Sequence, residues 1–328
     1  MDSNFTPRVS VIVPVYNTEV YVERAITSLM EQTLDDVQII IIDDGSKDNS
    51  LNIIKEVIAR YPARQRLVTL ISRENRGVAA TRAQGMELAS GDYVIHLDSD
   101  DWVELNWLEA MYSKAVEENA DVVVCDYRSV YATKSTHIKQ PIGQDGIECV
   151  KKLLEGELHG STWNKLVRRS LIVENKLTFS PGINYLEDFI LVIQIFLVAN
   201  VIDYISLPLV NYNQTNVSSI TATVSEQKVK EICVAIERIS HILNDYELEN
   251  QLANEVNIMK LKLKYWLFYC TKKNIPMYIS GLFPETSGYI SGANLSAHVK
   301  LVLFIAHHNL FLARVIMRTF HELKNIVS

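Results

Sequence analysis

Cysteine is scarce in this chain and unpatterned. Its four residues, Cys125, Cys149, Cys233 and Cys270, form no CxxC pair and have no histidine at metal-ligand spacing. That argues against zinc or a disulfide framework and for buried thiols in a reducing compartment. No GxGxxG follows the first strand-like run and there is no Walker lysine. A dinucleotide fold or an ATPase would therefore lack its phosphate cradle. Long apolar runs are missing too. The longest charge-free one, residues 189–202, contains Gln194 and Asn200 and is shorter than the roughly 20 residues of a membrane span. Residues 299–317 are apolar but broken by Lys300, His307, His308, Asn309 and Arg314. The opening residues 1–8 are short and polar, so no signal peptide is expected and the cytoplasm is the expected location. Internal repeats and low-complexity tracts are absent as well.

What is present is an ordinary globular composition, 48% hydrophobic and 22% charged over 328 residues. That is enough chain for one large domain or two. The net charge of −7 hides an asymmetry. From Ile258 onward there are nine Lys/Arg and two Asp/Glu, a net of +7, which leaves −14 on residues 1–257. An acidic body is a poor partner for nucleic acid. Residues 260–269 mix lysines with aromatics, and 299–318 are apolar with basic punctuation. Two readings stand: a peripheral contact at the inner face of the membrane, or helices packed on the rest of the protein.

Strand and helix patterns alternate along the first part. Runs 8–15, 37–42, 67–72, 93–97 and 121–127 read as strands; 20–31, 51–59, 78–89 and 105–118 read as helices. Such alternation predicts βαβ units and a doubly wound, mostly parallel α/β sheet with helices on both faces. Ligands of such sheets sit at the carboxyl ends of the strands. Beyond about residue 130 the reading changes. Residues 132–146 read as a loop, and 147–155, 188–201, 227–243 and 252–269 as helices. The expected division is a catalytic domain over 1–222 and a helical region over 223–328.

Three clusters fall at the rim where the strands end: Pro14-Val15-Tyr16-Asn17, Asp43-Asp44-Gly45-Ser46 and Asp98-Ser99-Asp100-Asp101. The apolar run 93–97 stops in Asp98-Ser99-Asp100-Asp101, three carboxylates that suit a hard divalent cation or, more plainly, a turn capping the next helix. Asp43-Asp44-Gly45-Ser46 is either a ligand loop or a strand-to-helix turn with a helix cap close behind. Glu187-Asp188 opens a helix, where the macrodipole favours acids whatever their function. Trp163-Asn164-Lys165 offers an indole face for a sugar and a cation for a phosphate, or a buried Trp beside a solvated basic face.

Together these pieces resemble family 2 glycosyltransferases of the glycosyltransferase A fold. The matching elements run in order: residues 11–17 (VIVPVYN), 28–33 (SLMEQT), 43–46 (DDGS) with Asp48, 74–77 (ENRG), 98–101 (DSDD), 163–166 (WNKL) and 187–189 (EDF). Ser218-Ser219-Ile220-Thr221 fits the same pattern. The chain departs from it at Ala83, where an Asn commonly follows the arginine, and at Asn213, where relatives often carry an Arg after the tyrosine.

The resemblance implies that Pro14, Tyr16, Asn17, Asp43, Asp44, Arg82, Asp98 and Ser99 form the nucleotide site. Asp44 would accept from the uracil ring NH, as an acceptor-only carboxylate can. It implies Mn²⁺ or Mg²⁺ on Asp100, with Asp98 on the ribose or a metal-bound water. Asp188 would be the catalytic base of an inverting transfer, and Trp163, Lys165 and Glu187 acceptor or phosphate candidates. The implied donor is a nucleotide sugar, most readily a UDP-sugar. The implied acceptor is a hydroxyl of a glycan or lipid-linked saccharide, in surface polysaccharide synthesis. Two rivals are a sugar-nucleotidyltransferase, which needs the missing Gly-rich loop, and a non-catalytic relative, which would be expected to lose Asp100 or Asp188.

Overall fold

The computed structural model describes residues 6–180, 182–216, 225–270, 279, 281–293, 295–309, 311–313 and 315–317. The motif at 218–221 and the expected domain boundary at 222 lie outside these residues. By its contacts the chain divides into two compact units, residues 1–153 with 157–217, and residues 154–156 with 218–328.

In the first unit the elements follow the order β1 (Val9–Val15), α1 (Val22–Met30), β2 (Val37–Asp43), α2 (Ser50–Arg60), β3 (Val68–Ser72), α3 (Val78–Leu88), β4 (Tyr93–His96), β5 (Trp102–Val103) and α4 (Trp107–Glu117). Then come β6 (Val122–Val130), β7 (Ser135–Ile138), α5 (Gly146–Glu155), β8 (Lys165–Arg168), α6 (Arg169–Glu174), α7 (Glu187–Val198) and β9 (Ile202–Asn213). They build one nine-stranded sheet in the order β3-β2-β1-β4-β8-β6-β9-β5, with β7 paired to β6. The pairings β1–β2, β1–β4, β2–β3 and β6–β9 are parallel and carry most of the registered residues. Those of β8 with β4 and β6, β5 with β9 and β7 with β6 are antiparallel.

Helices cover both faces because β1 and β2, apart from Ser10, Gln38 and the terminal Asp43, are apolar at successive positions and not only at alternate ones. Val9, Val11, Val13, Val15, Ile39 and Ile41 join one buried cluster with Ile26 and Leu29 of α1, Ile54 and Val57 of α2, and Leu108 and Met111 of α4. Ile12 points the other way, against α3. Gly85 of α3 allows that approach: a Cβ there would stand 2.3 Å from Ile12 Cγ2. Parallel register puts Val15 beside Asp43 and Ile12 beside His96, so three strands end at one rim.

The region beyond residue 130 holds more sheet than its sequence suggests. The expected loop 132–146 contains β7, a mostly exposed strand. β8 is four residues long, and β9 runs for twelve with Pro208 inside it. The proline is tolerated because Pro208 pairs with Asp126 at an irregularity in the β6–β9 register, where a ladder donor is not required. The helix expected over 188–201 starts at Glu187 and stops at Val198, and β9 follows four residues later.

The second unit contains α8 (Glu226–Asp245), α9 (Ala253–Cys270) and α10 (Ala297–His308). Ser225 caps α8 by accepting from Lys228 N. The lysines of α9 turn inward. Lys260 pairs with Glu285 at 2.7 Å, Lys264 donates to the carbonyl of Leu282 at 2.8 Å, and Lys262 to that of Glu155. The mixed run 260–269 is therefore a packed helix, not a displayed basic face.

Gly85→Ala would gain helix propensity worth about 1 kcal/mol but overpack α3 against Ile12 by about 1–3 kcal/mol. The expected outcome is a lower urea midpoint; an unchanged or higher one would show that the close approach is not constrained.

Candidate active site

The rim is laced together before any ligand is considered. After β1 the chain turns through Asn17, whose φ of 51° is left-handed, a region Asn tolerates better than most residues. Asn17 N donates to Ser46 Oγ at 3.0 Å, and Asn17 Oδ1 accepts from Lys47 N at 2.7 Å. Thr18 N donates to Ser50 Oγ, and Thr18 Oγ1 to Ser99 Oγ at 3.1 Å. Pro14 lies in β1, and the Tyr16 ring is 49% exposed at the same rim. Pro14, Tyr16, Asn17, Asp43, Asp44 and Ser99 thus come together as the motif order suggests.

The paired aspartates are buried and committed to loops. Asp43 accepts from Ser46 N at 3.1 Å and from Ser72 Oγ at 2.7 Å. Asp44 accepts from Arg76 N and Gly77 N, both at 2.9 Å, and pairs with Arg73 Nη1 at 2.6 Å. Three of its roughly four acceptor sites are therefore taken. Arg73 and the 76–77 amides were not foreseen as its partners; the only signal was their place directly after β3.

Arg82 joins the other two acidic clusters. It projects from α3, is buried, and reaches Asp98 Oδ1 with Nη2 at 2.6 Å and Glu187 Oε1 with Nη1. Its ring of charge closes across residues far apart in sequence. Burial opposes the guanidinium charge, but Asp98, Glu187 and Asp188 overcome it and hold Arg82 above its ordinary value. The carboxylates pay the converse penalty. Burial first, and then Asp188, push Glu187 upward against the pull of Arg82. Asp188 is raised by burial with Arg82 opposing. Its Oδ1 accepts from the amide of Phe189 at 2.8 Å, which fixes its direction at the head of α7.

The loop feeding α7 is held tightly. Leu186 takes a left-handed φ of 63°, strained for a branched side chain. Asn184 Oδ1 accepts from Ala79 N at 3.4 Å, and a Cβ on Gly77 would meet it at 2.5 Å. Gly77, at φ 89°, lets the two loops meet.

The 98–101 cluster is a tight turn in which Asp101 N donates to the carbonyl of Asp98 at 3.0 Å. Asp98 and Asp100 are partly open, whereas Asp101 is buried. Asp100 Oδ2 accepts from Asn216 Nδ2 at 2.8 Å, and Asp101 Oδ1 from Asn213 N at 2.7 Å. Burial and then Asp98 raise Asp100; burial, Asp100 and Asp98 raise Asp101 well above the carboxylate range. Asp101 Oδ2 has no hydrogen-bond partner among the described residues. Asn213 ends β9 and Asn216 follows it, so a strand that went unforeseen positions two contacts to the site.

Among the described residues no group of three or more His, Cys, Asp and Glu side chains forms a protein-only metal cage. The partly open carboxylates of Asp98 and Asp100 still fit Mg²⁺ or Mn²⁺, ions held by one or two carboxylates plus phosphate oxygens and water.

Trp163 is buried, one of the two readings open for it, whereas Lys165 is neither displayed to a phosphate nor part of a solvated face. Trp163 is 2% exposed, its ring centroid 4.9 Å from Tyr127, 5.1 Å from His159 and 5.4 Å from Tyr212. Lys165 is 1% exposed and directs Nζ to His159 O, Ser161 O and Asn164 Oδ1 at 2.7–2.8 Å. Burial lowers it to about 7, with Asp188 the largest opposing influence. A phosphate contact by Lys165 is thereby corrected: all three ammonium donors are already used inside the fold. The run of residues 163–169 looks basic in sequence because it cannot reveal which cations point inward.

Comparison with known proteins adds family and fold. The model described as "Glycosyl transferase family 2" matches residues 10–174. The chain is similar to the putative glycosyltransferase EpsH of Bacillus subtilis, 35% identical over 214 residues, 63% of this chain and 61% of EpsH. It is also similar to the cholesterol galactosyltransferase of Borreliella burgdorferi, 32% identical over 223 residues, 64% and 60% of the two chains. The matched segment thus spans about three-fifths of the length of these curated relatives. Among solved structures, S. aureus TarS 1–349 in complex with UDP-GlcNAc superposes with a TM-score of 0.64 at 17% identity, covering 96% of this chain and 92% of that one. The mannosyltransferase PcManGT from Pyrobaculum calidifontis, in complex with GDP-Man and Mn²⁺, gives 0.56 at 14% identity, with 96% and 85% covered. At such identities these two likenesses bear on fold alone.

Two outcomes follow from the geometry. Arg82→Ala leaves buried carboxylates unpaired and should cost about 3–5 kcal/mol of stability; a loss under about 1 kcal/mol, typical of surface pairs, would mean the bridge is not a buried one. Lys165 binds its proton less readily in the folded chain than at its ordinary value of 10.5. Between pH about 7 and 10 the unfolded chain then holds more protons, so this group's contribution to stability rises with pH. In urea titrations the advantage of wild type over Lys165→Met should grow across that window; a constant difference would contradict the assignment.

Proposed function

The chain belongs to glycosyl transferase family 2, and on that premise we propose that it is an inverting, metal-dependent glycosyltransferase using a nucleoside diphosphate sugar. The observation that carries this reading is the double reach of Arg82, from Asp98 in the acidic turn after β4 to Glu187 beside Asp188. It brings a diphosphate-and-metal locus and a candidate base into one constellation. A transferase needs both, because it must assist the leaving group while deprotonating the attacking hydroxyl.

In this reading Tyr16 and the rim loops hold the base and ribose. The remaining acceptor site of Asp44 meets a uracil ring NH, which favours a UDP-sugar, the donor class present in TarS. Asp100, supported by Asn216 and with Asp98 beside it, would hold Mn²⁺ or Mg²⁺. When bound, such an ion neutralises the diphosphate and eases its departure. Asp188 takes the proton of the acceptor hydroxyl as that oxygen attacks the anomeric carbon. The raised proton affinity of Asp188 suits a base working on a group that acidifies only as the bond forms. With Asp188 as the base and Glu187 and Asp98 paired to Arg82, a single displacement inverts the anomeric centre through an oxocarbenium-like transition state. Glu187 holds Arg82 in place, and Trp163 shapes the neighbouring wall from within the aromatic cluster.

The acceptor is a hydroxyl of a glycan or lipid-linked saccharide in surface polysaccharide synthesis, reached on the cytoplasmic side. Retention of Asp100 and Asp188 speaks against a non-catalytic relative, and the missing Gly-rich phosphate loop against a nucleotidyltransferase.

The test is calorimetric titration of UDP and GDP, with and without Mn²⁺, into wild type, Asp100→Asn and Asp188→Asn, followed by transfer assays. UDP should bind wild type and Asp188→Asn with Mn²⁺ and bind Asp100→Asn at least about tenfold more weakly, a loss of about 1.4 kcal/mol. Asp188→Asn should lose transfer by a factor of 100 or more, within the range expected of a general base. Normal turnover by Asp188→Asn would remove the base assignment, and tighter binding of GDP would move the donor to GDP-sugars.

A further inference from the structure

The second unit ends its described part with an inverted pattern of burial. In α10 the residues turned inward are Val302, Leu303 and Ala306, while Leu301 is 45% and Phe304 58% exposed. Asn309 then accepts from Leu312 N at 3.0 Å and starts a new helical stretch at 311–313 and 315–317. There Ala313 is buried, whereas Phe311 is 75% exposed and Leu312 and Val315 are 46% and 44% exposed. Five large apolar side chains within fifteen residues face outward, where a solvated helix would show polar groups.

Charge says what covers them. No Asp or Glu occurs from Thr286 to His321, while Lys300, Arg314 and Arg318 fall inside that stretch. The stretch therefore carries a net charge of +3 in sequence. A second copy docking by the same face would bring like charges together. An anionic lipid surface instead meets the cations with headgroups and the aromatic and aliphatic side chains with the acyl boundary. Among the described residues no helix is long and apolar enough to cross a membrane, so the stretch would lie in the interface and not span it. The lysines of α9 cannot serve the same end, since Lys260 and Lys264 are engaged within their own unit.

We propose that Leu301, Phe304, Phe311, Leu312 and Val315 form a membrane-docking face for anionic bilayers. The face narrows the broader expectation for the basic C-terminal region to named residues. It goes beyond the donor chemistry and does not depend on it.

The experiment is co-sedimentation of the full chain with vesicles of phosphatidylcholine alone or with 30 mol% phosphatidylglycerol. Wild type should bind the anionic vesicles at least about tenfold more strongly than the neutral ones, and raised salt should weaken that binding. Phe304→Asp with Phe311→Asp should lose it by at least about tenfold, the scale expected when two large apolar groups stop being buried. Circular dichroism and UDP titration of this variant should match wild type, which keeps a folding defect or a failed donor reading separate from a lipid result. Leu301→Glu with Val315→Glu reads the same face if the first pair misfolds. Equal binding by wild type and either folded variant would overturn the proposal, as would no binding of wild type to anionic vesicles. A dimer in sedimentation equilibrium, without lipid and abolished by these substitutions, would also overturn it in favour of a second copy.

Discussion

The structure of the site depends on a buried guanidinium that satisfies acids from two distant parts of the chain. Arg82 faces Asp98 at the end of β4 and Glu187 at the start of α7. Without a cation, three carboxylates in a partly desolvated pocket would repel one another or take up protons. With it, they remain close, and the turn after β4 and the head of α7 are fixed in one frame. The cation is available there because α3 lies almost flush on β1, an approach that Gly85 permits and Ile12 delimits. A packing constraint in the core thus sets the position of the charge at the rim.

The surrounding loops show the same economy. Asp43 and Asp44 are less free groups awaiting a nucleotide than fasteners of the 46–48 and 73–77 segments. These bonds tie the rim loops to one another through the protein's own groups. Strain is confined to places that aim a site residue: Asn17 after β1, and Leu186 immediately before Glu187 and Asp188.

Much of this was legible in the sequence, for identifiable reasons. Runs of isoleucine and valine in 9–15 and 37–42, interrupted only by Ser10, Pro14 and Gln38, announce strands covered on both faces, and the alternation with helical periods announces the parallel half of the sheet. Acidic clusters at strand ends are visible because several carboxylates directly after an apolar run stand out from it. β7, β8 and β9 were not legible. One is exposed and polar, one is four residues long and basic, and one carries a proline whose tolerance depends on a register irregularity in its partner. Lys165 failed as a prediction for a related reason. A lysine in sequence looks solvated, and only the fold shows three oxygens turned toward it. The contacts of Asn213 with Asp101 and of Asn216 with Asp100 were not legible because they exist only once β9 is in place.

The most direct measurement of the central claim is a crystal structure with UDP and Mn²⁺, read in anomalous difference maps at the manganese edge. One manganese peak is expected within coordinating distance of Asp100, with Arg82 still spanning Asp98 and Glu187 and Asp188 facing the space beside the diphosphate. A structure with UDP bound and no peak near Asp100, or with Arg82 withdrawn from Glu187, would contradict it.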